Sequence, residues 1–487
     1  MSLPMTESSL KSKTILSLFW SFIDKFGQQL LNFASMLILM NIISAREYGI
    51  FGSLAIFIAF STILIDSGFG RALLNRHNLT DTDYSTVFIF NISLSIVLYL
   101  LLYFSAPLLG DIFHTPEIVP VARVLFFSLV FNAFGLIHYT ILTKKADFKG
   151  LSKINIFALL IADIVAVLMA IYDLGVWALV FQSILFALIR TILLWIYSGW
   201  RPNGIFSKKR LSSFFSFSSK LLVSNTISTV ANNIYPSLIA MFYPMNQVAY
   251  FNQAKRYQDI PFVTMSNTFR SVAMLILSEV NRDSDRMKRI LSKLIKSISF
   301  ISFPVGFIMI ITAESLFFLF FKEKWLEAVP YFRILTFAGM LSPFIFIFNE
   351  LFIAKEKSAY FLGVEIFKSI LLIILIVLLL PEGLMALAGS WVIYTAVTLL
   401  ILVVLSGKLI GYNAVSFLKD VLPYLAIAMI CTIISYFITL SIHNTILYIL
   451  TNAVLIVGLY ILSCKFLKLE MSSEVENWFF NLKKKKK

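Results

Sequence analysis

AYFNQAKRYQDIP, residues 249–261, sets the problem. It places Lys255, Arg256 and Asp259 beside amides and two tyrosines. The chain around it is 59% hydrophobic, carries 48 Phe and is only 14% charged. Either this stretch is a loop between two membrane spans, or it is the polar face of a helix inside the membrane. The two readings predict different proteins.

An ordinary soluble domain has roughly 25% charged residues. Here apolar runs recur from one end of the chain to the other. A bilayer core about 30 Å thick is crossed by about 20 apolar residues in a helix. The runs lack the alternation and short turns of a membrane barrel, so the spans are helices. The expected fold is all-α, a polytopic membrane protein of about 14 transmembrane helices. They fall roughly at 15–42, 48–69, 86–106, 120–142, 154–172, 175–197, 214–243, 247–280, 294–320, 330–354, 359–380, 384–406, 421–441 and 444–464. No polar stretch is long enough to build a separate soluble core. The first apolar run has span length and polar interruptions, unlike a cleaved signal peptide.

Charge gives the orientation. Lys and Arg gather in alternate connections, as at 143–153, 201–210 and 282–293, and in both tails. The other connections hold only Arg46, Lys322 and Lys324. The positive-inside rule then puts both termini in the cytoplasm. The same asymmetry explains most of the +15 net charge, so nucleic acid is not needed as a partner. Lys483–Lys487 follow Trp478, Phe479 and Phe480; the run is either an anchor on anionic lipid or a solvated tail.

Other chemistries are thin. Cys431 and Cys464 have no partner spacing, and the four His show no ligand spacing, so no metal is expected. No nucleotide-binding motif is present, which argues against direct ATP hydrolysis. The longest outward connection, around APLLGDIFHTPE (106–117), is too short to build an enzyme's site outside the membrane. No catalytic residue and no cofactor is expected.

Helical spacing tests the opening stretch. At about 100° per residue, Arg256, Asp259, Val263, Ser266 and Arg270 lie within about 40° of Asn252. Lys255 and Asn267 sit at the stripe's edge. Lys255 and Asp259 are four residues apart and can pair. Pro261 should loosen the helix beyond the acid. A charge at the bilayer centre costs about 2.5–3.5 kcal/mol on insertion scales, so the stripe must face protein or water. If 249–259 were only a helix start outside the membrane, Arg270 would still be unexplained, about three turns deeper.

Two more helices carry stripes. In the first, Lys25, Gln28, Gln29, Asn32 and Ser35 share a face, with Asp24 at its edge. In the seventh, Ser224, Asn225, Ser228, Thr229 and Asn232 do so, with Lys220 near the start. Amides alone can be helix–helix glue; three long polar faces point instead to a shared wet cavity. FIDKFGQQLLNFASMLILMNIISAREYGIFGS (22–53) also parallels FSSKLLVSNTISTVANNIYPSLIAMFYPMNQVAYFNQ (217–253). The expected organisation is therefore two six-helix lobes as parallel repeats around a central cavity: 1–212, helices 1–6; 213–408, helices 7–12. Residues 409–487 hold helices 13–14 and a basic tail. Parallel halves with a site at their interface are a transporter design.

SAREYGIFGSLAIFIAFSTILIDSGFGRALLNR (44–76) resembles the helix 2 region of Wzx-type polysaccharide flippases. Those proteins belong to the superfamily that also holds multidrug-and-toxin extruders and the lipid II flippase. The matching features are Tyr48-Gly49-Ile50-Phe51-Gly52 and the Asp66-x-Gly68 close before a basic loop. Further matches are Tyr250-Phe251-Asn252, ILTKKADFKG (141–150), and Leu174-Gly175 with Trp177. The resemblance covers about residues 15–410. It implies transport of an undecaprenyl-diphosphate-linked oligosaccharide from the cytoplasmic to the periplasmic leaflet of the bacterial inner membrane, for O-antigen, capsule or exopolysaccharide synthesis. It also implies alternating access, with polymerase or assembly proteins as partners.

Such a cargo wants cations for its diphosphate and amides for its sugars. Arg256 and Arg270, with Lys25 and Lys255, are the expected phosphate ligands. Gln28, Asn32, Asn225, Asn232 and Asn252 are the expected polar lining. Asp259 and Asp24 are charge partners. Asp163, alone in helix 5, is either a site coupling transport to H+ or Na+ or a satisfied structural acid. Asp66, Gly68, Gly70 and Arg71 read as a cytoplasmic turn or gate. Arg190, Arg333, Glu350, Glu365 and Lys368 can pair between helices. The rivals are a multidrug or cation antiporter of the same fold, which needs acids open to cationic drugs, a membrane enzyme of glycan assembly, and a scaffold.

Overall fold

The computed structural model describes residues 7–474 except 67–68, 77–78, 281–282 and 356; it leaves aside the side chains of a further set, mostly within 7–22 and 215–232. The Lys483–Lys487 run lies outside the described residues, as does Gly68.

Every regular element described is helical. The chain runs α1 (Glu7–Ile42), α2 (Ala45–Ser53), α3 (Ala55–Asp66), α4 (Phe69–Asn75), α5 (Asp81–Ile112), α6 (Ile118–Leu125), α7 (Ser128–Lys144), α8 (Phe148–Ile171) and α9 (Val176–Ser198). It continues with α10 (Lys208–Phe242), α11 (Met245–Glu279), α12 (Ser284–Phe321), a 3-10 turn (Glu323–Ala328) and α13 (Val329–Ala354). The last are α14 (Ser358–Leu379), α15 (Leu384–Ile410), α16 (Ala414–Thr439) and α17 (Thr445–Phe466). Among the described residues, eleven spans are long and apolar enough to cross a membrane. They include α2–α3 and α6–α7 taken as single spans. The protein is a multi-pass membrane protein. The expected count of about fourteen rests in addition on α1, α10 and α14, which are helical where spans are expected but include side chains outside the description.

Local chemistry sets the helix ends. Ser44 accepts from the Glu47 N–H, and Glu47 reaches back to the Ser44 N–H at 3.0 Å, a reciprocal cap. Asn413 and Asn444 cap α16 and α17. Gly199 and Gly411 close α9 and α15 in the left-handed region. α5 runs on through Pro107 to Ile112, so the outward connection expected at 106–117 shrinks to 113–117.

The helices pack as two compact units, 1–249 and 250–487. In the first, α1 lies along α8, α8 along α9, and α7 along α9 and α5. A core of Phe69, Leu73, Val87, Ile137 and Phe214 ties α4, α5, α7 and α10 together. In the second, α12, α13, α15, α16 and α17 share one apolar core that includes Leu291, Phe344, Leu402, Tyr424 and Tyr460. α10 packs on α3 in the first unit, whereas the sequence repeat begins its second copy at 213. Packing and repeat are different criteria and need not share a boundary.

The repeat has a local structural echo. α1 ends at Ile42 and α2 starts at Ala45; α10 ends at Phe242 and α11 starts at Met245. In each case a two-residue break follows, and the first break residue donates back into the helix: Ile43 N–H to the Leu39 carbonyl, Tyr243 N–H to that of Ile239, both at 2.8 Å.

Candidate functional site

Residues 249–261 lie wholly inside α11, which continues through Pro261. They are helix, not loop. Pro261 has no N–H to give the Tyr257 carbonyl one turn back. The Tyr257 ring is instead held on α12, stacked on Phe321 at 4.7 Å between centroids.

The α11 stripe divides into exposed and buried members. Arg256, Val263, Asn267 and Arg270 are exposed. Ser266, expected on the same face, is buried and donates to the Phe262 carbonyl at 2.6 Å. A small hydroxyl satisfied by its own helix can pack inward where an arginine cannot. The exposed face therefore centres nearer Val263 than Asn252, which is half-buried.

Lys255 Nζ lies 2.9 Å from Asp259 Oδ2 and 4.4 Å from the Trp391 ring centre on α15. Asp259 also accepts from Gln258 Nε2. Arg256 makes no ion pair among the described residues. Arg270 Nε lies 2.6 Å from Glu350 Oε1 on α13. Glu350 is only 2% exposed, whereas the Arg270 side chain is half exposed. The guanidinium thus uses one edge on the acid and keeps the rest accessible. About three turns away, α13 approaches α11 closely: a Cβ on Gly339 would overlap Gln258 Oε1 and come within 2.5 Å of the Phe262 ring.

The α1 stripe in the first unit divides likewise. Lys25 and Gln29 are exposed, and Gln28 and Asn32 half-buried. Asp24 is buried and accepts from Gln28 Nε2 at 2.8 Å and from Asn155 Nδ2 on α8 at 3.1 Å. Asn155 Oδ1 in turn accepts from Arg190 Nε on α9 at 2.9 Å. The Arg190 guanidinium lies 5.0 Å from the Tyr139 ring centre. Asp163 is 6% exposed and takes Gln182 Nε2 at 2.7 Å; Gln182 also reaches Ser35 Oγ at 3.2 Å. Asp163 Oδ2 has no hydrogen-bond partner among the described residues. The side chains of Asn225 and Asn232, expected on α10, lie outside the described residues.

Sequence spacing missed Asn155, Gln182, Gln258 and Trp391. Asn155, Gln182 and Trp391 stand outside the polar stripes, and Gln258 lies on α11 away from its stripe. Glu350 and Arg190 were legible as isolated charges in apolar runs, but not as partners of Arg270 and Asn155.

The Gly70 N–H donates to Asp66 Oδ1 at 3.2 Å, and Lys144 Nζ reaches the Leu73 and Arg76 carbonyls at the end of α4. Arg210 pairs with Asp83 at 2.7 Å. The Arg71 side chain lies outside the described residues. Among the described residues, no group of His, Cys, Asp and Glu could hold a metal ion.

Residues 38–330, more than half of the chain, match the family described as "Polysaccharide biosynthesis protein". The chain belongs to that family. Among curated relatives it is 25% identical over 342 residues to the teichuronic acid biosynthesis protein TuaB of Bacillus subtilis, covering 70% of this chain and 71% of that one. It is 23% identical over 376 residues to the lipopolysaccharide biosynthesis protein WzxC of Escherichia coli, 76% of each. It is 23% identical over 326 residues to the succinoglycan biosynthesis transport protein ExoT of Rhizobium meliloti, 66% of each. Among solved structures, the lipid II flippase MurJ in an inward closed conformation has a TM-score of 0.76 at 16% identity, covering 93% of this chain and 99% of that one. An outward-facing multidrug resistance MATE transporter of the MOP superfamily reaches 0.50 at 17% identity, covering 85% and 96%. This family member therefore has the fold of MOP transporters.

Proposed function

We propose that the protein is a flippase. It moves a polyprenyl-diphosphate-linked oligosaccharide from the cytoplasmic to the periplasmic leaflet of the bacterial inner membrane, by alternating access, for surface polysaccharide synthesis. The lobes are 1–212 and 213–408, with 409–487 appended and both termini cytoplasmic. Polysaccharide polymerase or assembly proteins are its partners. Family membership supports the reading, as do relatives named for teichuronic acid, lipopolysaccharide and succinoglycan biosynthesis.

The observation that carries it is the exposed face of α11, where Arg256 and Arg270 stand accessible with Lys255 at the edge. Guanidinium groups on a membrane helix suit a diphosphate, which takes two parallel N–H donors at once. Lys25 adds a cation on α1. Gln28, Asn32 and Asn252, with Asn225 and Asn232, meet the sugars. An antiporter for cationic drugs needs acids open to its cargo. Here Asp24, Asp163, Asp259 and Glu350 each already accept from an amide or a cation. We place coupling to an H+ or Na+ gradient at Asp163, whose second oxygen is buried without a partner among the described residues. The reading requires no catalytic residue and no cofactor.

The test is a glycan-export assay in a strain lacking its own flippase. Wild type and Arg256→Ala are compared at matched membrane levels for surface polysaccharide and retained lipid-linked precursor. Loss of export with precursor build-up is expected. Export at the wild-type level would remove Arg256 from the site. Failure of the wild-type protein to export any glycan, with lowered drug accumulation, would favour the antiporter.

A further inference from the structure

A second charged constellation lies away from the α11 stripe, at one end of the second unit. α12 and α16 begin there and α15 and α17 end there. Lys288, Arg289, Lys293, Lys296 and Lys419 line a cavity of about 420 Å³, with Ser292, Ser416, Tyr412 and the carboxylates of Asp420 and Glu470. Two of the five cations are committed. Lys296 pairs with Glu470 at 2.6 Å and lies 3.5 Å from Asp420; Lys293 pairs with Glu474 at 2.5 Å. Asp420, buried, also accepts from Ser292 Oγ at 2.6 Å and from the Tyr412 hydroxyl at 2.8 Å. Burial, and then the Asp420 carboxylate, push the Tyr412 phenol upward, so it stays a donor. Asp420 thus meets three donors and Glu470 one. Lys288, Arg289 and Lys419 make no ion pair among the described residues, and the cavity keeps a surplus of positive charge.

Lys419 is shared with a second hollow. Val415, Leu418, Leu422, Pro423 and Ala426 form an apolar groove of about 530 Å³ running from Lys419 along α16. Val415, Leu418 and Leu422 are each about half exposed: 59%, 47% and 49%. They recur at helical spacing on one face. A cationic, hydroxyl-lined cavity that shares Lys419 with an apolar trough matches a ligand with an anionic head and a hydrocarbon tail. We infer that this is a binding site for an anionic glycerophospholipid, the phosphate held by Lys288, Arg289 and Lys419 and one acyl chain laid along α16. The charge matches basic clusters that hold anionic headgroups at the membrane surface. The site stands independently of the flippase reading, because it uses none of the α11 residues.

The test uses the full-length protein, delipidated in detergent, with bound lipid counted by native mass spectrometry. Phosphatidylglycerol is expected to be retained at least about tenfold better than phosphatidylcholine. Lys288→Gln, Arg289→Gln and Lys419→Gln together should cut phosphatidylglycerol retention about tenfold or more, and leave phosphatidylcholine unchanged. Lys288→Arg with Lys419→Arg should bind as wild type, which separates lost charge from lost folding. Leu418→Gln with Leu422→Gln should weaken the lipid as well. Unchanged phosphatidylglycerol binding in the triple glutamine variant would overturn the site. Equal competition by glycerol 1-phosphate would reduce it to a simple phosphate site and overturn the lipid. A tenfold preference for undecaprenyl phosphate would assign it to the cargo's carrier instead.

Discussion

Arg270 on α11 and Glu350 on α13 are paired at 2.6 Å, a half-exposed cation resting on an acid that is 2% exposed. The pair is asymmetric. Glu350 depends on Arg270 to offset its burial, while Arg270 keeps part of its guanidinium for another anion. Arg270→Ala should therefore do two things. It leaves a buried carboxylate unpaired, at a cost of about 1–3 kcal/mol, and it removes a cation that the proposed site assigns to phosphate. Adding Glu350→Gln to Arg270→Ala should restore much of the thermal midpoint in detergent without restoring export. Recovery of export in the double variant would make the pair structural.

Asp24 and Lys25 are neighbours in sequence with opposite environments. Asp24→Ala strips acceptors from Gln28 and Asn155 and loosens the chain that continues to Arg190. A loss of about 1–3 kcal/mol is expected. Lys25→Ala removes an exposed group and should change stability by no more than about 0.5 kcal/mol. Its effect should appear in export alone. Thermal unfolding of the two variants side by side gives the comparison; equal midpoints would contradict the burial argument.

The helices were legible because crossing a bilayer demands long apolar runs, and α11 and α12 are visible by that test despite their charges. A break after the first helix of each copy was legible through the repeat, read at 43–47 and 244–246 where the structure has 43–44 and 243–244. The extension of α5 to Ile112 was not, because Pro107 and Gly110 read as a loop and only packing keeps them helical. The exposed cations followed from spacing. Their partners did not: Asp24 finds Asn155 and Arg270 finds Glu350 through tertiary packing, and one sequence carries no record of which helix lies beside which. Ser266 shows the same limit within a single helix. Angle alone put it on the wet face; a back-bonded hydroxyl let it turn inward.

Gly339 is where α13 meets α11. A methyl group there would overlap Gln258 Oε1 and crowd the Phe262 ring. Phe262 is buried and cannot step aside, so the helices must separate. Gly339→Ala should cost about 1–3 kcal/mol as overpacking and disturb the Gln258 contact to Asp259. Gly339→Ala with Phe262→Leu should regain part of the loss. The readout is the thermal midpoint, and a midpoint unchanged by Gly339→Ala alone would show that the approach is looser than the geometry requires.

Gly175 sets the start of α9. Its φ of +54° lies where side chains are disfavoured, and Glu47 Oε1 fills the space a Cβ would take. Glu47 also accepts from the Val176 N–H at 3.2 Å. Gly175→Ala should therefore lose about 1–3 kcal/mol from backbone strain and the displaced carboxylate. Glu47→Ala should clear the space and leave only the strain, so Gly175→Ala in that background should cost less than in wild type. Equal cost in both backgrounds, in a double-mutant cycle, would show that Glu47 yields freely.

In the proposed site, Asp259 is a negative charge beside the cations assigned to the diphosphate. Its carboxylate accepts from Lys255 and Gln258, while Lys255 is held independently over Trp391 at 4.4 Å. Removing the acid's charge therefore leaves Lys255 in place and available, and lifts repulsion of an incoming diphosphate. Asp259→Asn should tighten binding of a polyprenyl diphosphate about three- to tenfold, in line with about 1 kcal/mol for an exposed pair. Lys255→Gln should weaken it, and Trp391→Ala should weaken it less, because the cation is then tethered by Asp259 alone. The measurement is a titration of purified protein with farnesyl diphosphate, followed by intrinsic Trp fluorescence for the variants that keep Trp391 and by calorimetry for the one that does not. Weaker binding in Asp259→Asn would mean that the acid positions Lys255 for the phosphate rather than opposing it.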